Sequence, residues 1–349
     1  MQQLLAIIAA EQPRIKATLE AETAALHPMV HPVVAHILSA GGKRLRPILV
    51  ILLARLLGHE EGPDSCEESV ELLSTKSVYP LACSLELLHS ATLLHDDILD
   101  ISDLRRGKPT AHKLFGEANT ILAGDALMAL AIKVAARYAT PALSNAIADA
   151  ILQTASGEIA EIAHMRSVSH DYDTYLDIIK GKTAWMLQAS CEMGALFAGA
   201  TKEQQEAAAT FGLELGLAFQ IVDDALDFAE RTKTGKPIGG DLREGKLTPP
   251  ITMYRDLLEH KSAAEHFGFA MSSYGSLADF DASFTQGTFT EEQIALISQD
   301  MRDFGFVDAT RAMAGEHLER ARLALASLPD KPERTILGEL LLYVQMRNV

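Results

Sequence analysis

The stretch SLELLHSATLLHDDILD, Ser84 to Asp100, decides the fold. Its apolar residues recur at three- and four-residue spacing, so it reads as a buried helix, yet it ends in three aspartates, Asp96, Asp97 and Asp100. On a helix, positions i and i+4 share a face and i+1 lies about 100° round. Asp96 and Asp100 are therefore expected to point the same way, with Asp97 to one side. The same shape returns in LELGLAFQIVDDALD, which carries Asp223, Asp224 and Asp227. One such cluster alone reads equally well as a solvated helix end. Two in apolar surroundings do not, because six carboxylates repel one another without a counter-ion. Mg²⁺ takes one or two carboxylates together with phosphate oxygens, so several Mg²⁺ ions carrying a diphosphate between facing clusters are the expected answer.

The rest of the chain supports a helical reading. Of 349 residues, 48% are hydrophobic and only 6% aromatic, and no Gly/Ser/Pro-rich linker interrupts them. This predicts a single all-helical domain over residues 1–349. A net charge of -16 argues against a nucleic-acid surface. Cys66, Cys83 and Cys191 are odd in number and lack CxxC spacing, which excludes a disulfide framework or zinc site and fits a reducing cytoplasm. LLAIIAA near the start has no basic flank, and no run reaches the roughly 20 apolar residues of a transmembrane segment.

Periodicity and punctuation predict helices over Met1 to Leu26, from Pro47 to a C-cap at Gly58, and from Glu67 or Val78 to Asp100. Further helices are expected at 119–138, 142–164, 172–199, 202–228, 291–304, 307–328 and 333–346. SDLRRGKPT and GKPIGGDLREGKLTPP read as loops, and Met271 to Thr290 as an irregular insertion.

In so acidic a chain, clustered cations are informative. Lys43, Arg44 and Arg46 form one group, Arg105, Arg106 and Lys108 a second, and Lys233, Lys236, Arg243 and Lys246 a third. Each lies in a turn-like segment. Arginine forks match phosphate oxygens and lysine adds a mobile point charge, so these segments are candidate anion sites.

GGKRLRP (Gly41 to Pro47), LLHDDILDISDLRRGKPT (Leu93 to Thr110), GKTA (Gly181 to Ala184), FQIVDDALD (Phe219 to Asp227) and GKPIGGDLREGK (Gly235 to Lys246) together resemble the trans-isoprenyl diphosphate synthases. The likeness is greatest to the long-chain, octaprenyl-type polyprenyl synthases. It implies an isoprenoid synthase fold, a helical bundle around a central cavity. It implies a Mg²⁺-dependent prenyltransferase that adds isopentenyl diphosphate head to tail to an allylic diphosphate, building a long all-trans chain for a quinone. By the same resemblance, Asp96, Asp97, Asp100, Asp223, Asp224 and Asp227 would hold Mg²⁺. Arg105, Lys182, Thr183, Gln220, Lys236 and Lys246 fall on the allylic diphosphate site. Lys43, Arg46, His89 and Arg106 fall on the isopentenyl diphosphate site. A homodimer is implied as well.

Chain length is expected to depend on what lies beneath the metal site. Ala91 and Thr92 are about 6 to 7.5 Å below Asp96 at 1.5 Å per residue, and both are small, where short-chain relatives carry an aromatic. Leu88 continues the wall. Glu161 stands where a glutamine is common in the family, and Thr248-Pro249-Pro250 replaces the more usual Thr-Leu-Pro. The alternatives are a farnesyl- or geranylgeranyl-type short-chain synthase and a non-catalytic regulatory subunit of a heteromeric synthase.

Overall fold

The computed structural model describes residues 1–59, 76–169, 171–229, 238–260 and 275–347. Cys66, Lys233 and Lys236 lie outside these. The described residues are helical apart from turns and one two-residue-per-strand hairpin, and they group into two compact units.

The first unit comprises residues 1–152, 186–212 and 324–340. It contains α1 (Gln2–Thr23), α2 (His31–Ser39), α3 (Leu45–Leu56), α4 (Val78–Leu99), the hairpin β1 (Leu104–Arg105) with β2 (Lys108–Pro109), α5 (Ala111–Phe115) and α6 (Glu117–Ala136). The first half of α7 (Pro141–His164), most of α9 (Trp185–Phe197) and the start of α10 (Lys202–Leu226) belong to it too. Helix α4 starts where the Ser77 hydroxyl accepts the Tyr79 N–H at 3.3 Å. Every residue from Val78 to Leu88 is buried, as expected of a helix apolar all round at the centre of a core. Its most extensive neighbour is α6. Buried polar groups in this core are paired: Glu11 accepts from Arg55 at 2.8 Å and from Tyr79, and Glu22 takes a two-pronged bond from Arg137 at 2.7 Å. Breaking either pair would strand a buried carboxylate, at a cost of about 3–5 kcal/mol.

The second unit comprises residues 153–185, 213–323 and 341–349. It holds the rest of α7 and α10, with α8 (Tyr172–Ile179), α11 (Gly240–Glu244), α12 (Pro249–Glu259), α13 (Leu277–Gln286), α14 (Glu291–Asp303) and α15 (Phe306–Ala326). Its core joins Phe228, Leu242, Ile251, Tyr254, Phe280, Phe284, Ile297 and Met301. A last helix, α16 (Pro332–Gln345), runs across the boundary between the units in sequence.

Three expectations need correction. The helix expected over 172–199 is interrupted by a π turn at Lys180–Ala184, a departure common at functional sites. The segment from Met271 to Thr290 is not irregular where it is described. Ser276 caps α13 by accepting the Asp279 N–H at 3.2 Å, Phe280 and Phe284 bury one face, and Arg255 grips Asp281 at 2.7 and 2.9 Å. The two loops are also more regular than expected, one forming the β1–β2 hairpin and the other including α11. Helix α6, with 20 residues, is long and apolar enough to cross a membrane by length and composition, and is partly buried among its neighbours. A core helix of a soluble protein has the same length and composition, so α6 does not show a membrane span.

Candidate active site

In the first unit, four arginines converge. Arg105 and Arg106 leave the hairpin in different directions because Arg106 and Gly107 both have positive φ, 51° and 75°, the geometry of a two-residue hairpin turn. Arg105 Nε donates to Asp97 Oδ1 at 2.7 Å. Arg106 donates to the Gly41 carbonyl. A side chain at Gly42 would put its Cβ 2.6 Å from the Arg106 guanidinium, so GGKRLRP needs its second glycine to admit Arg106. Arg44, itself left-handed at φ 51°, pairs with buried Glu86.

Arg44, Glu86, His89, Arg105 and Arg106 line a cavity of about 20 Å³. Burial, with Arg106 adding to it against Glu86, lowers the Arg46 guanidinium, and Arg46 Nε is shut from solvent with no hydrogen-bond partner. Burial, then Arg46, Arg105, Arg106 and Arg44, hold His89 neutral by pushing its pKa well down. Four guanidiniums against two carboxylates, Glu86 and Asp97, make a site for an anion, in which neutral His89 offers a hydrogen bond without adding charge. Lys43 is exposed, and its carbonyl accepts from the Gln12 amide at 3.1 Å.

Of the first aspartates, Asp97 is buried, Asp96 half-buried and Asp100 exposed as the residue ending α4. Burial raises the Asp97 carboxyl although Arg105 opposes it. Thr92 and Leu88 lie one and two turns below Asp96 on its own face; Leu88 and Ala91 are fully buried.

In the second unit, a cavity of about 110 Å³ is lined by Glu161, Tyr175, Lys182, Gln220, Asp224, Asp241 and Lys246, among others. The π turn brings Lys182 here. Gly181 and Gly157 touch so closely that a Cβ on Gly181 would lie 2.6 Å from Gly157 Cα, which presses the turn onto α7. Lys182 then reaches Glu161 at 2.5 Å and Glu158 at 3.2 Å. Thr183 donates to Gln220 at 2.7 Å, and Gln220 to Asp224 at 2.8 Å.

The second aspartates differ from one another. Asp223 pairs with Arg347 at 2.6 Å. Asp224 is 7% exposed and also accepts from Tyr175 at 2.6 Å; burial pushes its carboxyl up to about 7. Asp227 accepts the Asp241 N–H at 2.9 Å, and burial raises it as well. Asp241, raised by burial and then by Asp227 and Asp224, has its Oδ2 enclosed without a hydrogen bond.

Among the described residues, no three His, Cys, Asp or Glu side chains form a ready metal cage. The donor set still fits Mg²⁺, which needs only one or two carboxylates and completes its shell with phosphate and water. The enclosed Asp241 Oδ2 and the desolvated Asp224 and Asp227 are the hard oxygen groups that a divalent cation relieves.

The structure thus brings Lys182, Thr183, Gln220, Asp224 and Lys246 together in one unit, and Arg46, His89, Arg105, Arg106 and Asp97 in the other. Lys236 falls outside the described residues. Sequence reasoning missed Asp241, Tyr175 and Glu86 as site residues; GGD at Gly239 to Asp241 was the available signal for the first.

The chain matches the family model described as polyprenyl synthetase over residues 27–268. It is 31% identical to octaprenyl diphosphate synthase of Escherichia coli over 86% of this chain and 85% of that one. It is 29% identical to heptaprenyl diphosphate synthase component 2 of Bacillus subtilis, over 96% and 87%. The crystal structure of a decaprenyl diphosphate synthase from Rhodobacter capsulatus superposes with a TM-score of 0.83 at 33% identity, covering 99% of this chain and 98% of that one. The expected all-α isoprenoid synthase fold is therefore the fold this chain has. By its motifs, its fold and these relatives, the chain belongs to the polyprenyl synthetase family, trans-prenyltransferases with long-chain members.

Proposed function

We propose that this protein is a Mg²⁺-dependent, cytoplasmic, homodimeric synthase that extends an allylic diphosphate with isopentenyl diphosphate to an all-trans product of about octaprenyl length, for the side chain of a quinone. The observation that carries this reading is the pair of cavities, one in each unit, each lined by basic groups that match a diphosphate, Arg44, Arg105 and Arg106 in the first and Lys182 and Lys246 in the second, since condensation needs two diphosphates held at once.

Isopentenyl diphosphate is assigned to Arg46, Arg106, His89 and Lys43, with neutral His89 donating a hydrogen bond and the guanidiniums matching phosphate oxygens. The allylic diphosphate is assigned to Lys182, Lys246, Lys236, Thr183, Gln220 and Arg105. Mg²⁺, when bound through Asp96, Asp97, Asp100, Asp223, Asp224 and Asp227, supplies positive charge that stabilises the departing diphosphate. Lys182 and Arg105 add fixed positive charge for the same oxygens, so the allylic C1–O bond breaks with its electron pair on the leaving group. The isopentenyl double bond then attacks C1, a new C–C bond forms, and the released diphosphate takes the proton lost from the adjacent carbon. The diphosphate is given that role by the resemblance to the family, in which the leaving group is the favoured base.

Product length is assigned to Ala91, Thr92 and Leu88 below the first aspartates. Incubation of the purified chain with Mg²⁺, an allylic diphosphate and labelled isopentenyl diphosphate tests the activity. Labelled prenyl diphosphate that disappears with EDTA is expected; no incorporation by the purified chain alone would favour a subunit of a two-component enzyme.

A further inference from the structure

Two of the three lysines assigned to the allylic diphosphate, Lys182 and Lys246, already hold an anion. Glu161 Oε1 lies 2.5 Å from Lys182 Nζ and 3.2 Å from Lys246 Nζ. One carboxylate oxygen bridging two ammonium groups is the arrangement a phosphate oxygen would take between them. The bridge is sheltered, with side-chain exposures of 14% for Glu161, 24% for Lys182 and 16% for Lys246, so the charges are weakly screened. Burial works against the charge on Glu161, but Lys182 and Lys246 outweigh it and hold the carboxyl below its usual range.

The local charge makes the point stronger. Glu158 also contacts Lys182, and Glu244 contacts Lys246 at 2.6 Å. Glu158, Glu161 and Glu244 therefore outnumber the two lysines, in a cavity that must accept a trianion. A glutamine at 161 would preserve the shape and the hydrogen bonding while removing one negative charge.

We propose that Glu161 is an internal competitor for the allylic diphosphate: its carboxylate occupies the Lys182–Lys246 bridge in the free enzyme and must be displaced when the diphosphate binds. The inference rests on the assignment of those two lysines to the diphosphate. Glu161 is then an affinity-setting residue that weakens the hold on substrate and product diphosphates alike. A residue that merely positioned the lysines would act in the opposite direction, because its loss would leave them misplaced.

The sign of one change decides the matter. Inorganic diphosphate is titrated by calorimetry into the full-length protein in Mg²⁺, for wild type, Glu161→Gln, Glu161→Ala and Lys246→Ala. The expected result is about tenfold tighter binding for Glu161→Gln, equivalent to about 1.4 kcal/mol, and a shift in the same direction for Glu161→Ala. In turnover, Glu161→Gln should lower KM for the allylic diphosphate while kcat stays level or falls. Unchanged or weaker diphosphate binding in both Glu161 variants would overturn the proposal. Undiminished binding in Lys246→Ala would overturn the underlying assignment instead, whatever the Glu161 variants do.

Discussion

Arg105 Nε donates to Asp97 Oδ1 at 2.7 Å, across a carboxylate that is only 1% exposed. The middle aspartate of the first cluster is thereby the one turned inward, tied to the hairpin. The flanking Asp96 and Asp100 are the more accessible pair. Arg105→Ala should leave a buried carboxylate unpaired and cost about 3–5 kcal/mol of stability, read as a lower denaturant midpoint. Its rate should fall at least a hundredfold; Arg105→Lys should recover much of the stability and less of the rate.

The second cluster predicts a pH dependence. Asp224 has a folded-state pKa of about 7, raised by burial above the unfolded value of about 3.9. Its contribution to stability is therefore full below about pH 4 and is lost as pH rises through about 7. The metal-free protein should melt at lower temperature at pH 7.5 than at pH 5.5, and Mg²⁺ should raise Tm more at pH 7.5, where it no longer competes with a proton. Asp224→Asn should flatten that slope. Scanning calorimetry at the two pH values checks it, and an unchanged slope in Asp224→Asn would refute the assignment.

Ala91 is fully buried and Thr92 half-buried one turn below Asp96. Tyrosine at either position should shorten the product to a few isoprene units. Thr92→Tyr is the gentler test, since overpacking at Ala91 is expected to cost about 1–3 kcal/mol. Product chromatography, with circular dichroism to confirm folding, reads the outcome. A full-length product from a folded Thr92→Tyr and Ala91→Tyr pair would remove these residues from the account.

Helix α13 should be part of the folded core. Phe280 is fully buried against Tyr254 and Phe284, so Phe280→Ala should cost about 3–5 kcal/mol. A loss below about 1 kcal/mol by denaturant titration would mean that the helix is dispensable.

The sequence carried much of this because the informative residues are locally encoded. Apolar spacing placed α6, α7 and α10 to within a few residues and fixed the end of α4 while leaving its start open between Glu67 and Val78, and the paired aspartates with ordered basic motifs pointed to the family. What stayed hidden depended on contacts distant in sequence. The π turn packs against α7 where Gly181 meets Gly157, and neither glycine announces the other. Helix α13 was obscured because its three apolar anchors, Leu277, Phe280 and Phe284, are diluted among polar residues, and its stability comes from Tyr254 and Arg255 elsewhere. Glu161 was legible as an unusual residue, but only the structure shows it bridging two lysines.

The most direct test is the mass of the product made by the purified protein from farnesyl diphosphate, isopentenyl diphosphate and Mg²⁺. A dominant all-trans polyprenyl diphosphate of about eight isoprene units is predicted. A product that stops at four units or fewer would contradict the long-chain assignment built on Ala91, Thr92 and Leu88.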